Sequence, residues 1–154
     1  MNAVYRLYNK TTSEHLYTTD LSEYNSLPKS GWAQEGIAWY SPQSSPYGVY
    51  RMYNSELGKQ FKMSHHYTTN KAESDVLVKN YGWLYDNNSK PIFYSAQDAK
   101  GNQLTGSTIV YRLYNEALSA HIYTLDASEI FNLITYEGWS GEIIGFYEYK
   151  TNNQ

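Results

Sequence analysis

The sequence predicts an α+β fold dominated by β-strands, in which three strand–strand–helix–strand repeats pack around a pseudo-threefold axis. A β-trefoil-like arrangement is the alternative. The 154-residue chain has a globular composition, with 41% hydrophobic and 18% charged residues, and the same aromatic motifs return three times in the same order. Because one unit is too small to bury a core, we expect one domain over residues 1–154, with repeats at 3–47, 48–105 and 108–150.

Two short motifs predict the first two strands of each repeat. The motifs Val-Tyr-Arg-x-Tyr-Asn and His-x-Tyr-Thr are rich in aromatic and β-branched residues, and polar turn residues flank them. The first motif begins at Val4, Val49 and Val110, and the second begins at His15, His65 and His121.

A helix is predicted after the second strand. Asp20, Asn70 and Asp126 each stand three residues before a glutamate, which is the capping-box spacing of a helix start. In the first repeat, we expect a helix of roughly ten residues that buries one face. The side chains expected on that face are Leu21, Tyr24 and Leu27.

Glycine and an aromatic pair predict how each repeat ends. Gly31, Gly82 and Gly138 each precede a tryptophan and fit the left-handed position that ends a helix. A last strand then carries Trp39-Tyr40, Phe93-Tyr94 or Phe146-Tyr147. Two long polar connections, around residues 57–62 and over residues 96–107, are expected to be surface loops.

Charge and composition exclude several functions. A net charge of −3 gives no basic field for nucleic acid, and no apolar run approaches the roughly 20 residues that cross a bilayer. We therefore expect neither nucleic acid nor membrane as a partner. No signal peptide is visible at the N-terminus. The absence of cysteine excludes disulfides, thiolate nucleophiles and cysteine-bound metals.

The combined motifs resemble a tandem tyrosine-rich repeat family of unknown function. Its members carry Tyr-Arg-x-Tyr-Asn, His-x-Tyr-Thr, Gly-Trp and Gly-x-x-x-Tyr over about 45 residues, in Gram-positive surface proteins and phage cell-wall hydrolases. The resemblance implies a cell-wall or glycan attachment module. The second repeat departs from the pattern by an insertion and by His66, where the other repeats have Leu16 and Ile122. The third repeat has Leu125 in place of a threonine.

Tyrosine is the first candidate for contact with a ligand. Its flat apolar face and its hydroxyl suit stacking on a sugar ring, and the chain has 18 tyrosines. The alternative is that tyrosines repeated at fixed strand positions pack in the core. The candidates are Tyr8, Tyr53 and Tyr114 in the first motif and Tyr17, Tyr67 and Tyr123 in the second.

The three arginines of the chain all lie in the first motif. Arg6, Arg51 and Arg112 each stand two residues before a tyrosine, on the same strand face. Each could clamp a carboxylate or phosphate of a wall polymer in a bidentate way. Each could equally stack on tyrosine and bond backbone carbonyls as a structural tie between units.

The repeated histidines allow three interpretations. His15, His65 and His121 could coordinate zinc near a threefold axis, although no HExxH pair or carboxylate ligand accompanies them. Each could instead lie in a sugar pocket beside the tyrosine two residues on, or form a hydrogen bond within its own unit. We include them among the glycan contacts and predict neither a metal nor a cofactor.

The acidic residues argue against catalysis. Glycosidases need two carboxylates that face each other across a cleft. The remaining acidic residues, such as Glu35 and Glu142, form no recurring pair, and no motif for nucleophilic or phosphate chemistry is present. We therefore predict that the protein is not an enzyme. Helix caps account for Asp20, Glu23, Glu73, Asp126 and Glu129.

These observations predict a non-catalytic module that binds a Gram-positive wall polysaccharide or peptidoglycan at the cell surface. It would be the targeting part of a phage endolysin or surface hydrolase, with a catalytic hydrolase module as partner, and would be released by lysis or within a larger protein. Up to three sites, each binding at roughly millimolar level, would together gain about 10²-fold in avidity. A protein-interaction or assembly module is the alternative.

Overall fold

The computed structural model describes residues 1–54 and 65–152. Over these residues it is a β-dominated α+β protein with three sheets and three α-helices. The connection around residues 57–62 lies outside the described residues. We refer to residues 2–41, 48–94 and 108–148 as the first, second and third segments.

Each segment contributes one antiparallel sheet. The first segment contains β1 (Asn2–Asn9), β2 (Glu14–Thr18), α1 (Leu21–Ser26), a short 3-10 helix (Leu27–Ser30) and β3 (Ala33–Ser41). The second contains β4 (Gly48–Tyr53), β5 (His65–Thr68), α2 (Lys71–Tyr81), β6 (Leu84–Tyr85) and β7 (Phe93–Tyr94). The third contains β8 (Thr108–Asn115), β9 (Ala120–Thr124), α3 (Ala127–Tyr136) and β10 (Ser140–Glu148).

The strand that carries the first motif is central in every sheet. The strand orders are β2-β1-β3, β5-β4-β6 with β7 also on β4, and β10-β8-β9. The pairing register is the same in all three sheets. In each, the arginine of the first motif lies opposite the tyrosine of the second motif. The aromatic pairs lie in β3, β7 and β10, as predicted.

Side-chain caps start the helices at the predicted residues. Asp20 accepts hydrogen bonds from the backbone nitrogens of Ser22 and Glu23, at 2.8 and 3.3 Å, and Asp126 caps α3 in the same way. Asn70 caps α2 by accepting from one backbone nitrogen, at 3.0 Å. The reciprocal half of the capping box is absent from these helices. The backbone N–H of each cap residue donates instead to the threonine two residues before it, as from Asp20 to Thr18 Oγ1 at 3.0 Å. The glutamates three residues after the caps are therefore available for other contacts.

The first helix differs from the prediction. It is only six residues long and buries no side chain, and Leu21 is 53% exposed. Pro28 explains the early end, because proline has no N–H to donate to the carbonyl of Tyr24 and its ring crowds that carbonyl. The side chain of Gln34 donates to this carbonyl instead, at 2.9 Å. The expected buried face of Leu21, Tyr24 and Leu27 is therefore wrong for Leu21, and the other two are half-buried.

Glycines end the helical stretches as predicted. Gly31, Gly82 and Gly138 have φ of 92°, 75° and 76°, a backbone conformation that side chains with a Cβ rarely adopt. The connection over residues 96–107 is mostly at the surface and is held by Asp98, which accepts from the backbone of Lys100 and Asn102 at 2.8 and 2.9 Å. Its first residue, Ala96, is fully buried.

One hydrophobic cluster joins the three sheets. Each segment contributes its motif valine, the tyrosine of its second motif and the first residue of its aromatic pair. All nine side chains are nearly inaccessible to solvent. They are Val4, Val49, Val110, Tyr17, Tyr67, Tyr123, Trp39, Phe93 and Phe146.

The three core tyrosines bond the segments to one another. The Tyr17 hydroxyl donates to the Tyr123 carbonyl at 2.7 Å, the Tyr123 hydroxyl donates to the Tyr67 carbonyl at 3.3 Å, and the Tyr67 hydroxyl accepts from the Tyr17 nitrogen at 2.8 Å. These bonds close a cycle through all three segments. A ligand at the surface cannot reach these rings, so we correct the expectation that they contact a ligand: their place is in the core.

Candidate functional site

A cluster of four side chains recurs in each segment, at one end of its central strand. Each consists of a tyrosine, a histidine, a carboxylate and an arginine, and we name them the first, second and third clusters. They are Tyr8, His15, Glu35 and Arg6; Tyr53, His65, Asp86 and Arg51; and Tyr114, His121, Glu142 and Arg112.

Tyrosine and histidine face each other across the first two strands of each segment. The register places Tyr8 opposite His15, and the same pairing recurs in the other two sheets. The ring centroids are 4.8 Å apart in the first and third clusters and 5.3 Å apart in the second, with interplanar angles of 31° to 40°. The tyrosines of the three clusters are half-buried, so part of each ring is open to solvent.

A carboxylate connects the histidine to the arginine in every cluster. Glu35 Oε1 lies 2.8 Å from Arg6 Nε and 3.6 Å from His15 Nε2. Asp86 and Glu142 lie at 2.7 and 2.9 Å from the Nε of their arginines, and at 3.4 and 2.8 Å from the Nε2 of their histidines. Glu35 and Glu142, which the sequence analysis did not place in any repeated site, thus occupy equivalent positions, and Asp86 occupies the same position in the second segment.

The sequence does carry a signal for these carboxylates. Each stands three residues after the tryptophan of the Gly-Trp motif, as Glu35 does after Trp32. Aspartate at the second position and glutamate at the other two hide the pattern when residues are matched by identity. The shared feature is the negative charge, which appears only when the sheets bring it beside the arginine.

Two of the arginines form ties between segments. Arg6 bonds both oxygens of Glu129 on α3 at 2.8 Å, and Arg51 bonds both oxygens of Glu23 on α1 at 2.9 Å. Burial opposes the charge of Arg6, but its bonds with Glu129 and Glu35 outweigh burial and raise the guanidinium pKa. Burial likewise opposes the charge of Glu23 and Glu129, and the arginines overcome it and lower the pKa of both carboxyls.

These ties decide between the two interpretations of the arginines at Arg6 and Arg51. With carboxylates on Nε and on both terminal nitrogens, neither guanidinium is available to a wall polymer, and both act as structural ties. Glu23 and Glu129 were expected to serve as caps, whereas their carboxylates serve these ties. The sequence shows no spacing that would reveal a contact over 123 residues.

Arg112 is arranged differently. Its Nε bonds Glu142, but no carboxylate of the described residues forms an ion pair with its two terminal nitrogens. Glu73, which occupies the helix position of Glu23 and Glu129, instead lies 3.0 Å from His66 Nε2. Among the residues that the structure describes, the third cluster therefore lacks the cross-segment tie of the other two.

The histidines of the clusters lie in their own sheets, each beside its own tyrosine. Burial, with the charge of Arg6, lowers the pKa of His15 to about 3, and burial also lowers the pKa of His121. His65 is held by Glu14 of the first segment through Nδ1, and by Asp86 through Nε2. Within residues 1–54 and 65–152, no three His, Asp or Glu side chains are placed to share a metal ion.

Clefts open beside the first and second clusters. A cleft of about 270 Å³ lies between the first and third segments, and Arg6, Tyr8, His15, Leu118 and Trp139 are among its walls. A second cavity of about 220 Å³ shares Arg6, Glu35 and Glu129 with it, so the arginine tie separates the two. A smaller cavity of about 140 Å³ adjoins Arg51 and Asp86. The described concave surfaces near the clusters are thus at junctions between segments.

No described helix is long and apolar enough to cross a membrane. No curated protein and no solved structure matches the chain. One family matches it over residues 1–90 and again over residues 87–154, so that the two matches together span its length. The chain belongs to the family described as a domain of unknown function, DUF5648.

Proposed function

We propose that this chain is a non-catalytic module that binds a cell-wall glycan of Gram-positive bacteria, either a wall polysaccharide or peptidoglycan. The observation that carries the proposal is the recurrence of a half-exposed tyrosine beside a histidine and a carboxylate at three equivalent positions. The resemblance of the motifs to repeats of Gram-positive surface proteins and phage cell-wall hydrolases supports the choice of glycan.

The chemistry of the clusters suits a sugar. A pyranose ring has one apolar face, which stacks on an aromatic ring, and hydroxyls around its edge, which need hydrogen-bond partners. The exposed part of the Tyr8 ring would stack on the apolar face of the sugar. The carboxylate of Glu35, which is 31% exposed, would accept hydrogen bonds from the hydroxyls. The first cluster also lies in the cleft of about 270 Å³, which gives a sugar walls from two segments.

We further propose that the three strand–strand–helix–strand repeats surround a pseudo-threefold axis in one domain. The cycle of tyrosine hydrogen bonds and the common register of the three sheets support this arrangement. Three related sites would then engage a repetitive polymer together, and sites of roughly millimolar affinity would gain about 10²-fold in avidity. The module would thereby target a phage endolysin or surface hydrolase to the wall from outside the cell.

Substitutions in the clusters test the proposal. Tyr8→Ala, Tyr53→Ala and Tyr114→Ala should each reduce co-sedimentation of the chain with purified Gram-positive walls, and the triple variant should abolish it. Tyr81→Ala is the matched control, because Tyr81 is 67% exposed on α2 and belongs to no cluster. Thermal melting would be recorded for every variant. Full wall binding by a folded triple variant would contradict the proposed site.

An assembly or protein-interaction module is the second candidate, and one observation favours it. Helix α3 exposes Phe131, Ile134 and Tyr136, the last to 75%, and the two aromatic rings lie 6.3 Å apart. Exposed apolar groups of this kind mark protein contacts when they form a patch. Phe131→Ser with Tyr136→Ser would remove such binding and leave wall binding intact, whereas added polysaccharide would compete only with wall binding.

A further inference from the structure

Within residues 1–54 and 65–152, Arg112 holds one carboxylate where the other two arginines hold two. In the first two clusters, Nε bonds a carboxylate of the same segment and the terminal nitrogens bond a glutamate of another segment. Arg112 Nε bonds Glu142 at 2.9 Å, and among described residues no carboxylate takes the place of that second glutamate. Among the described residues, the fork formed by its two terminal nitrogens therefore lacks the carboxylate that closes the other two, and Arg112 also has a side-chain contact with Tyr123.

His66 explains why this fork is open. Glu73 is the third residue after the cap of α2, the position that Glu23 and Glu129 hold in their helices, but its Oε1 lies 3.0 Å from His66 Nε2. Leu16 and Ile122 stand at the position of His66 in the other segments. Because their side chains are apolar and cannot bind a carboxylate, Glu23 and Glu129 bond arginine instead.

The surroundings of the fork allow a second anion. Arg112 is 19% exposed, compared with 16% for Arg6, and Glu142 fixes its Nε. His121 and His66 also face this region, and burial lowers the pKa of both, so neither adds a charge at neutral pH. Arg6 accommodates two carboxylates in the equivalent setting, and Glu142 is therefore no obstacle to one more beside Arg112.

We propose that the fork of Arg112 is an anion-binding site that receives a carboxylate or phosphate group of the ligand. The two parallel N–H groups of a guanidinium match either group in a bidentate geometry. The inference rests on the proposed function only for the source of the anion, which would be an acidic sugar or a phosphodiester of the wall. It makes the three clusters unequal, with one anion bound per chain.

Nuclear magnetic resonance can observe this site directly. The chain has only three arginines, so its side-chain spectrum contains three Nε–H signals, and Arg112→Lys assigns one of them by its loss. Titration with glucuronate and, separately, with glycerol phosphate should shift the Arg112 signal in a saturable way. The signals of Arg6 and Arg51 should stay in place, and glucose should shift none. An unmoved Arg112 signal with both anions, or equal shifts of all three, would overturn the proposal.

Closing the fork from within gives a second test. His66→Leu restores the residue type of the other segments, frees Glu73 to bond Arg112, and should weaken anion binding at least tenfold. Adding Glu73→Gln to that variant should recover the binding. The apolar neighbours Met52 and Trp83 make leucine compatible with this position. Unchanged anion affinity in a folded His66→Leu variant would contradict the inference.

Wall binding separates this inference from the proposed function. If Arg112→Lys sediments with walls as well as the unmodified chain does, and no anion shifts the Arg112 signal of the unmodified chain, the anion site is wrong and the wall-binding function stands. If the signal shifts but no wall binds the chain, the anion site stands and the function is wrong. Competition for wall binding by free glucuronate and, separately, by glycerol phosphate distinguishes the two sources, because the acid step removes secondary polysaccharides of both kinds.

Discussion

A buried histidine in the first cluster makes the protein sensitive to acid. Burial and Arg6 lower the pKa of His15 to about 3, whereas the value in the unfolded chain is near 6.5. Between these values the unfolded state binds one more proton than the native state. The free energy of unfolding therefore falls as the pH falls below about 6.5, by up to about 1.4 kcal/mol per pH unit for this group.

The variant His15→Gln tests this linkage. This variant lacks the titrating group. Between pH 7 and pH 5, its free energy of unfolding should therefore fall by about 2 kcal/mol less than that of the unmodified chain. Urea unfolding at the two pH values measures the difference, and Lys10→Gln, at an exposed site, controls for a changed net charge. An equal pH dependence in both chains would show that folding does not lower the pKa of His15.

Glu148 produces the opposite pH dependence. It is fully buried, its carboxyl contacts the hydroxyl of Ser41, and its Oε1 has no hydrogen-bond partner in the described structure. Burial raises the pKa of this carboxyl well above its usual value, although the bond with Ser41 opposes the shift. The native state thus keeps a proton that the unfolded state releases above about pH 4.3, and stability falls as the pH rises toward the native pKa.

Glu148→Gln should therefore stabilise the protein at high pH. Glutamine keeps the shape of the protonated acid and cannot ionise, so the variant should be about as stable as the unmodified chain at pH 4. At pH 8 the variant should be more stable than the unmodified chain, by up to about 1.4 kcal/mol for each unit by which folding raises the pKa of Glu148. Chemical denaturation at both pH values measures this. Equal destabilisation at both would mean that a charged Glu148 is part of the native state.

At the scale of elements, the ties between arginine and helix position the segments. Glu129 lies in the first turn of α3 and reaches Arg6 of β1, and Glu23 in α1 reaches Arg51 of β4. Because both partners are largely buried, removing the arginine leaves its carboxylates without a cation, and removing the helix glutamate leaves the arginine with one carboxylate instead of two. The third junction has no such tie among the described residues, and its Arg112 bonds only within its segment.

A double-mutant cycle measures the tie. The single variants Arg6→Gln and Glu129→Gln should each cost about 3 kcal/mol of unfolding free energy, and their coupling energy should be about 1–3 kcal/mol. The matched cycle uses Arg112→Gln and Glu142→Gln. This pair is joined by a single bond that lies nearer the solvent, so its coupling energy should be smaller. Equal coupling energies in the two cycles would mean that the bidentate contact adds no stability.

Much of each element was predictable from local sequence. The strands, the caps at Asp20, Asn70 and Asp126, and the glycines that end the helices depend on near neighbours, and the structure confirms them. The exposure of Leu21 was not predicted, because Pro28 shortens its helix. Contacts between segments were also missed, since no periodicity relates Arg6 to Glu129, and the effect of His66 depends on which carboxylate is nearest in space.

At the scale of the whole molecule, the core tyrosines join the segments. Each of the three hydroxyls contacts the backbone of another segment, and together they connect the first, second and third segments in a cycle. The sequence predicted the tyrosine, histidine and arginine of every cluster, but it missed the carboxylate and also placed the three core tyrosines in the site. Tyrosines of the first and second motifs look alike in sequence, and the packing of three sheets decides that Tyr8 is half-exposed and Tyr17 is buried.

Removing these hydroxyls tests the cycle. Tyr17→Phe keeps the ring but leaves the N–H and carbonyl of Tyr123 without this partner in a buried place, which should cost about 1–3 kcal/mol. Tyr67→Phe and Tyr123→Phe should cost similar amounts, and Tyr81→Phe, at the surface, should cost almost nothing. Thermal and urea unfolding measure the series. A Tyr17→Phe variant as stable as the Tyr81→Phe control would contradict the role of the cycle.

The most direct test of the wall-binding function is co-sedimentation of the purified chain with Gram-positive cell walls. One sample of walls would be stripped of proteins, and a second would also be stripped of secondary polysaccharides by acid. We expect binding to the first sample, and loss of binding after the acid step would identify a wall polysaccharide rather than peptidoglycan. Binding to neither sample across several species would contradict wall targeting and favour a protein partner.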